Sequence, residues 1–236
     1  MNQSWRDVWG RRSLADGQRF DLQELLRLDG YDTAVSHVTA AAWCQYLGAI
    51  VQRFSLSAGS SVYEVGCGAG ALLYGLRERL NVDVGGCDFA PPLISVVQRA
   101  MPSGDFVVSD AAEFPATPLY DVVLSNGVFH YFPNLAYARL VLERMVAKAR
   151  YAVGVLEIPD AGTREISEFK RREMLSPAEY ERRYRGLNHL YFSKSWFSDM
   201  SEELGMECTF LDVKIPDYAQ NEFRFHVLFE FPRKRG

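Results

Sequence analysis

The 236-residue chain is 48% hydrophobic and 24% charged, the balance of an ordinary folded domain long enough for one sizeable α/β unit. Its 26 Lys and Arg against 30 Asp and Glu give a net charge of −4, which argues against a general nucleic-acid binder, whose affinity comes from cations on phosphates. Cysteines 44, 67, 87 and 208 form no Cys-x-x-Cys and no Cys/His cluster, so neither a metal site nor a disulfide framework is expected, and a reducing cytoplasm is the expected compartment.

The first residues, "MNQSWRDVWGRRSLADG", hold no apolar core of signal-peptide length, and no later apolar run could span a bilayer, so no membrane partner is expected. Residues 1–57 read as an N-terminal helical lid, in which "DTAVSHVTAAAWCQYLGAIVQRF" has apolar residues at helical spacing and "SLSAGS" breaks it. Strand-like and helix-like runs then alternate. "SVYEVG" reads as a strand, "GALLYGLRERL" as a helix and "VDVGGCD" as a strand; "PPLISVVQRAM" is a helix with proline in its first turn, where the missing N–H costs nothing. "DFVVSD", "YDVVLSN" and "YAVGVLEI" are short and rich in β-branched residues, as strands buried on both faces should be, and the amphipathic "NLAYARLVLERMVAKA" separates the last two. This alternation predicts parallel strands with crossover helices on both faces.

After Pro159 the rhythm breaks. Residues 160–205 hold the charged "REISEFKRREMLSPAEYERRYRG" and the aromatic-rich "LNHLYFSKSWFSDMSEEL", expected as a cap insertion over the site or as a solvated helical face. "ECTFLDVKI" and "EFRFHVLFEF" have no helix between them, so they should pair antiparallel at the sheet edge. The expectation is a single α/β domain with its cofactor-binding core at 58–159 and 206–233.

The glycines of "EVGCGAG", Gly66, Gly68 and Gly70, allow a sharp turn and close approach of a ligand to the backbone. Taken alone, Gly66-x-Gly68-x-x-Ala71 also fits a dinucleotide turn, with Asp88 twenty residues beyond Gly68 where a ribose-binding acid belongs. Three features separate the readings. Glu64 lies inside the strand before the turn, where a carboxylate needs a partner; it would repel a pyrophosphate and suit a cation. Asp110 and Ala111 follow the third strand, where a carboxylate and adjacent main chain could read an adenine amino edge. The terminal strand pair is unlike a dinucleotide fold. These features favour S-adenosylmethionine over NAD(P).

"VYEVGCGAG", "GGCDFAPPLI", "VVSDAAEF" and "YDVVLSNGVFHYFPN" together resemble the class I S-adenosylmethionine-dependent methyltransferases, in particular those acting on small molecules in bacterial metabolism. The resemblance runs from about His37 to Phe231. It implies a Rossmann-like seven-stranded, mostly parallel sheet with an antiparallel C-terminal strand. It also implies that Glu64, Gly66, Gly68 and Gly70 hold the methionine part, Asp88 the ribose, and Phe89, Asp110 and Ala111 the adenine, with Asn126 beside the methionine end. "SNGVFHYF" departs from the asparagine-proline-proline-aromatic motif of adenine and glutamine amino-group methylases, which argues against base methylation of that kind.

For the chemistry, His130 follows the fourth strand among Phe129, Tyr131 and Phe132, an apolar setting that favours the neutral ring; it is either a general base or a loop hydrogen bond. Tyr31 and His37 on the N-terminal segment are candidate cofactor contacts or packing residues. Phe129, Tyr131, His189, Tyr191 and Arg224 are candidate substrate contacts, and Glu157 ends the fifth strand facing the same edge. The acceptor is expected to be a small molecule methylated at oxygen or nitrogen; methylation of tRNA or a protein and NAD(P)-dependent oxidoreduction are the alternatives.

Overall fold

In a computed structural model, which describes residues 4–14, 21–33 and 36–232, seven strands form one sheet in the order β3-β2-β1-β4-β5-β7-β6. Helices α1 (Trp5–Trp9), α2 (Leu22–Leu28) and α3 (Ala40–Arg53) precede strand β1 (Ser61–Val65). There follow α4 (Ala71–Leu80), β2 (Asp83–Asp88), α5 (Pro91–Ala100), β3 (Asp105–Val108), β4 (Tyr120–Asn126), α6 (Leu135–Lys148) and β5 (Ala149–Pro159). Helices α7 (Arg164–Glu173), α8 (Pro177–Tyr184) and α9 (Lys194–Leu204) lead to β6 (Glu207–Asp212) and β7 (Arg224–Glu230). Strands β1 to β5 pair in parallel, and β7 inserts antiparallel between β5 and β6. All seven predicted strands are present, with the predicted antiparallel return.

The sheet is covered on both faces because its central strands carry apolar side chains on both. Val62 and Leu124 face a core with Trp43, Leu47, Leu72, Leu76 and Val97, whereas Tyr63, Val65 and Val123 face Val141, Leu142, Met145, Phe197 and Met200. Burial of this kind is the main favourable contribution to the fold, at about 25 cal/mol per Å² of apolar surface. The chain changes direction of strand addition between β1 and β4, and a crevice opens beyond the carboxyl ends of these strands, where ligands bind in open α/β sheets.

Two boundaries differ from the sequence reading. Thr39 accepts a hydrogen bond from the Ala42 N–H and caps α3, so the helix begins at Ala40 although the apolar spacing extends upstream. The expected cap of 160–205 contains α9, yet Phe197 and Met200 of that helix lie in the sheet's second core. Within 160–205 it is α7 and α8 that stand outside the βα alternation. Residues 1–3, 15–20, 34–35 and 233, within the expected lid and core ranges, lie outside the described residues. Among the described residues no helix is long and apolar enough to cross a membrane, and no group of His, Cys, Asp and Glu is placed to hold a metal.

Candidate active site

Strand β1 ends in a turn built by conformational necessity. Gly66 and Gly68 have φ of 77° and 53°, which L side chains rarely adopt, and neither has room for a Cβ. At Gly66 a Cβ would meet Val128 at 2.6 Å; at Gly68 it would collide with the Asp29 carboxylate. Asp29 accepts hydrogen bonds from the Ala69 and Ala71 N–H groups at 2.6 and 2.9 Å, occupying the N-terminus of α4. A pyrophosphate would need those same donors, so Asp29 excludes the dinucleotide mode of binding. Burial pushes Asp29 up to about 7, with Asp88 adding to the shift against the two backbone bonds.

The second acid of the turn is Asp88, at the end of β2. Its Oδ2 accepts from the Gly68 N–H at 3.0 Å and its Oδ1 from the Ala90 N–H at 2.8 Å, which fixes the carboxylate at the cavity wall. Beneath the turn, Glu64 is 3% exposed and its Oε2 has no hydrogen-bond partner. Burial, then the neighbouring Asp29 and Asp88, holds its pKa well above the usual carboxylate range. Among the described residues none of these three acids forms a salt bridge, the Arg12 guanidinium acting on Asp29 only as a weak opposing charge, so they form a site that a positively charged ligand would complete.

These residues line a cavity of about 690 Å³, within the size range of small-molecule sites. Its wall beyond β3 is Ser109, Asp110 and Ala111, and Phe89 lines it as well. Both Asp110 oxygens already have partners: Oδ1 accepts from the Ala112 N–H and the Tyr137 hydroxyl, and Oδ2 from Arg6. Arg6 also lies 5.0 Å over the Phe89 ring. Helix α1, started by a Ser4–Asp7 capping box, supplies Trp5, Arg6 and Trp9 to the same wall. Trp5 stacks on His189 at 4.9 Å and donates to the Asn188 carbonyl at 3.0 Å, which joins the N-terminal segment to the loop after α8.

At the other end of the cavity a hydrogen-bond chain runs into Glu157. Tyr46 donates to Asn126 Oδ1 at 2.8 Å, Asn126 Nδ2 donates to the Tyr31 hydroxyl at 2.9 Å, and Tyr31 donates to Glu157 Oε2 at 2.8 Å. Tyr218 reaches the same oxygen at 3.3 Å and Arg224 at 3.5 Å. The Glu157 N–H donates to His226 Nδ1, which places that ring's proton on Nε2; burial and Arg224 push His226 down to about 4. His130 is 2% exposed, its Nδ1 has no partner, and burial followed by Arg224, His189 and Arg171 lowers its pKa well below the usual histidine value.

Most of the expected site residues therefore meet in one cavity: Tyr31, Glu64, Gly66, Gly68, Asp88, Phe89, Asp110, Ala111, Asn126, His130, Tyr131 and Arg224. Five do not line it. His37 is exposed; Gly70 packs against Val97 and Met101; Phe129 is buried in the core against Phe132 and Phe192. His189 Nδ1 accepts from Arg171 at 2.5 Å, and Tyr191 bonds the same guanidinium, so these two stand behind the wall. The sequence reading missed Asp29, Trp5, Arg6, Trp9 and Tyr218. The Ser4-x-x-Asp7 start of α1 is a helix signal that was there to be used; Asp29 and Tyr218 lie in plain turns that carry none.

Residues 62–149 match the family described as a methyltransferase domain. A malonyl-[acyl-carrier protein] O-methyltransferase of Bacillus cytotoxicus is 27% identical over 128 residues, which is 53% of this chain and 44% of that protein, so the chain matches less than half of that relative's length. Among solved structures, the plantazolicin methyltransferase BpumL with S-adenosylhomocysteine has a TM-score of 0.64 at 16% identity, with 87% of each chain covered. The N-methyltransferase NodS from Bradyrhizobium japonicum, with the same product bound, has a TM-score of 0.61 at 13% identity, covering 91% of this chain and 100% of that one. Magnesium protoporphyrin IX methyltransferase from Synechocystis, with S-adenosylmethionine bound, has a TM-score of 0.56 at 14% identity over 96% of this chain and 88% of that one. Residues 62–149 thus carry a methyltransferase domain, and it is set in the fold that these S-adenosylmethionine- and S-adenosylhomocysteine-bound methyltransferases share.

Proposed function

We propose that this protein methylates a small molecule at nitrogen or oxygen in the cytoplasm, with S-adenosylmethionine as donor. The observation that carries this reading is the unpartnered Glu64 Oε2 among acids at the end of β1, beside a cavity that continues to Glu157 and His130. The donor supplies an electrophilic methyl group on a sulfonium; the protein's part is to hold it and align an acceptor, since methyl transfer depends heavily on positioning. Glu64 and the Gly66–Gly68 backbone would hold the methionine end, and Asp88 the ribose hydroxyls. Phe89 would pack on the adenine, with Ala111 at its edge. Arg6 and Tyr137 already occupy the Asp110 carboxylate, so adenine would meet the main chain there or displace Arg6. The named relatives carry chemically different acceptors, so the acceptor must be read from this chain's own residues.

Calorimetry tests the donor reading. S-Adenosylhomocysteine should bind and NADH should not; binding of NADH alone would overturn it. Asp88→Ala should weaken S-adenosylhomocysteine by about 1–3 kcal/mol, the scale for stranding polar groups without a charged partner. An unchanged Kd in the folded variant would remove Asp88 from the ribose site.

His130 is the candidate base for an oxygen acceptor. In that case His130→Ala should lower kcat by about 10²–10⁴-fold, the usual contribution of a positioned base, and leave S-adenosylhomocysteine affinity unchanged. A nitrogen acceptor that binds neutral needs no base, and the same variant should then mainly raise the acceptor's KM. Because burial lowers its pKa, His130 stays neutral through physiological pH, so no rate inflection near the ordinary histidine value should arise from it. Normal kcat and KM in the variant would leave His130 as loop packing.

A further inference from the structure

Glu157 is held with unusual care for a residue at a strand end. It is 1% exposed, sits on the last turns of β5, and has a left-handed φ of 58°, which a non-glycine residue adopts only when its surroundings enforce it. They do enforce it: the Glu157 N–H is bound by His226, its carbonyl accepts from Arg224 at 3.2 Å, and Tyr31 and Tyr218 converge on Oε2. Every protein donor that reaches the carboxylate thus goes to one oxygen. Oε1 is buried and has no partner, while the residue lines the cavity together with Asn126, Gly127, Tyr218 and Arg224. A buried carboxylate oxygen without a donor is costly, and an N–H from a ligand is the group that would relieve it.

Building on the methyl-transfer reading above, we propose that the acceptor is an amine whose nitrogen is held through an N–H by Glu157 Oε1 and is methylated there. A carboxylate acceptor is the competing case, since Arg224 also lines the cavity. It is disfavoured because that guanidinium is already committed to Glu157 through the carbonyl and Oε2, and a substrate carboxylate would bring a second anion against the unpartnered Oε1. An alcohol acceptor needs a base, and the buried His130 is a weakened one. An amine bound in its neutral form needs no base before the transfer: its lone pair forms the N–C bond as the S–C bond breaks, sulfur leaves as a thioether, and the proton then passes from the alkylated nitrogen to water. Positive charge moves from sulfur to nitrogen during this step. A carboxylate hydrogen-bonded to that nitrogen stabilises the charge where it develops, which is stabilisation gained in the transition state. The rings of Tyr31, Tyr131 and Tyr218 complete a wall suited to a cation.

The test uses the full chain with tritiated S-adenosylmethionine and a deproteinised low-molecular-weight cell extract, and sorts the labelled products by chemistry. Base-stable label retained on a cation exchanger is the expected result. Label released by mild alkali as methanol marks a methyl ester, and base-stable neutral label marks an ether; either overturns the amine assignment while leaving small-molecule methylation intact. Absence of label from every small molecule would instead count against the methyl-transfer reading itself. The labelled amine, once purified, gives a readout independent of turnover. On protein saturated with S-adenosylhomocysteine, Glu157→Gln should weaken its binding at least tenfold by calorimetry, with S-adenosylhomocysteine affinity unchanged. Equal amine binding in the two proteins overturns the role of Glu157. Should the single change leave Arg224 uncompensated and the chain unfolded, Glu157→Gln with Arg224→Met removes both charges and serves the same comparison.

Discussion

Gly68→Val should weaken donor-site binding about a hundredfold in a chain that still folds. Two costs act together. A non-glycine residue in the left-handed region loses about 1–2 kcal/mol, and a β-branched one fares worse. The added side chain also occupies the place of the Asp29 carboxylate, which would have to release the Ala69 and Ala71 N–H groups at the start of α4, at about 1–3 kcal/mol for polar groups left unpaired. Their combination, on the order of 3 kcal/mol, is about a hundredfold in Kd. The Gly68 N–H is also bound by Asp88, so the displacement should spread to the second acid of the site. Calorimetry with S-adenosylhomocysteine measures the loss, and circular dichroism checks that the fold persists. Wild-type affinity in a folded Gly68→Val protein would mean that ligands do not approach the turn at all.

The fold was legible because its central strands are largely buried and its helices amphipathic, two patterns that survive in a linear sequence. The β1 turn was legible for a related reason: three glycines after an apolar run have few uses besides a backbone that must bend and stay bare. Glu64 was legible as an anomaly, a carboxylate in a buried strand. What could not be read are the relations between distant segments. Asp29 reaches the α4 N-terminus across about forty residues of chain, and in the sequence it is only the first half of an Asp-Gly turn. His189 and Tyr191, expected as substrate contacts, do not line the cavity for a reason of the same kind. Both are aromatic residues in a cap-like stretch, but both are bonded by Arg171 of α7, itself buried. In that stretch α9 mixes polar residues with the apolar ones, and Phe197 and Met200, with Trp196 and Leu204 beside them, show its attachment to the sheet.

S-Adenosylmethionine should bind more tightly as pH rises through neutrality, and binding should release protons. In the free protein, burial and the neighbouring Asp29 and Asp88 raise Glu64, and burial raises Asp29 to about 7, so both carboxyls hold protons at pH values where exposed acids have lost them. A sulfonium and an ammonium placed beside them favour the ionised forms and lower those pKa values in the complex. The complex then carries fewer protons than the free protein, so affinity rises with pH, by at most about tenfold per pH unit for each proton released. The effect lies between the carboxyl pKa values of the complex and those of the free protein, and it flattens above the latter. Calorimetry in two buffers of different ionisation enthalpy counts the protons directly. Glu64→Gln should reduce the number released and weaken the sulfonium-bearing donor more than S-adenosylhomocysteine, which lacks that charge. The free protein's stability should show the opposite slope over the same range. A carboxyl whose folded pKa is raised stabilises the fold while protonated and loses that contribution as pH rises, so saturating donor should protect the fold most on the alkaline side. The buried histidines oppose this at acid pH: His226, pushed down to about 4, costs stability as pH falls below the ordinary histidine value of about 6.5, because only the unfolded chain takes up the proton. A Kd that is flat across neutral pH, with no proton released in either buffer, would show that Glu64 and Asp29 do not respond to the ligand's charge.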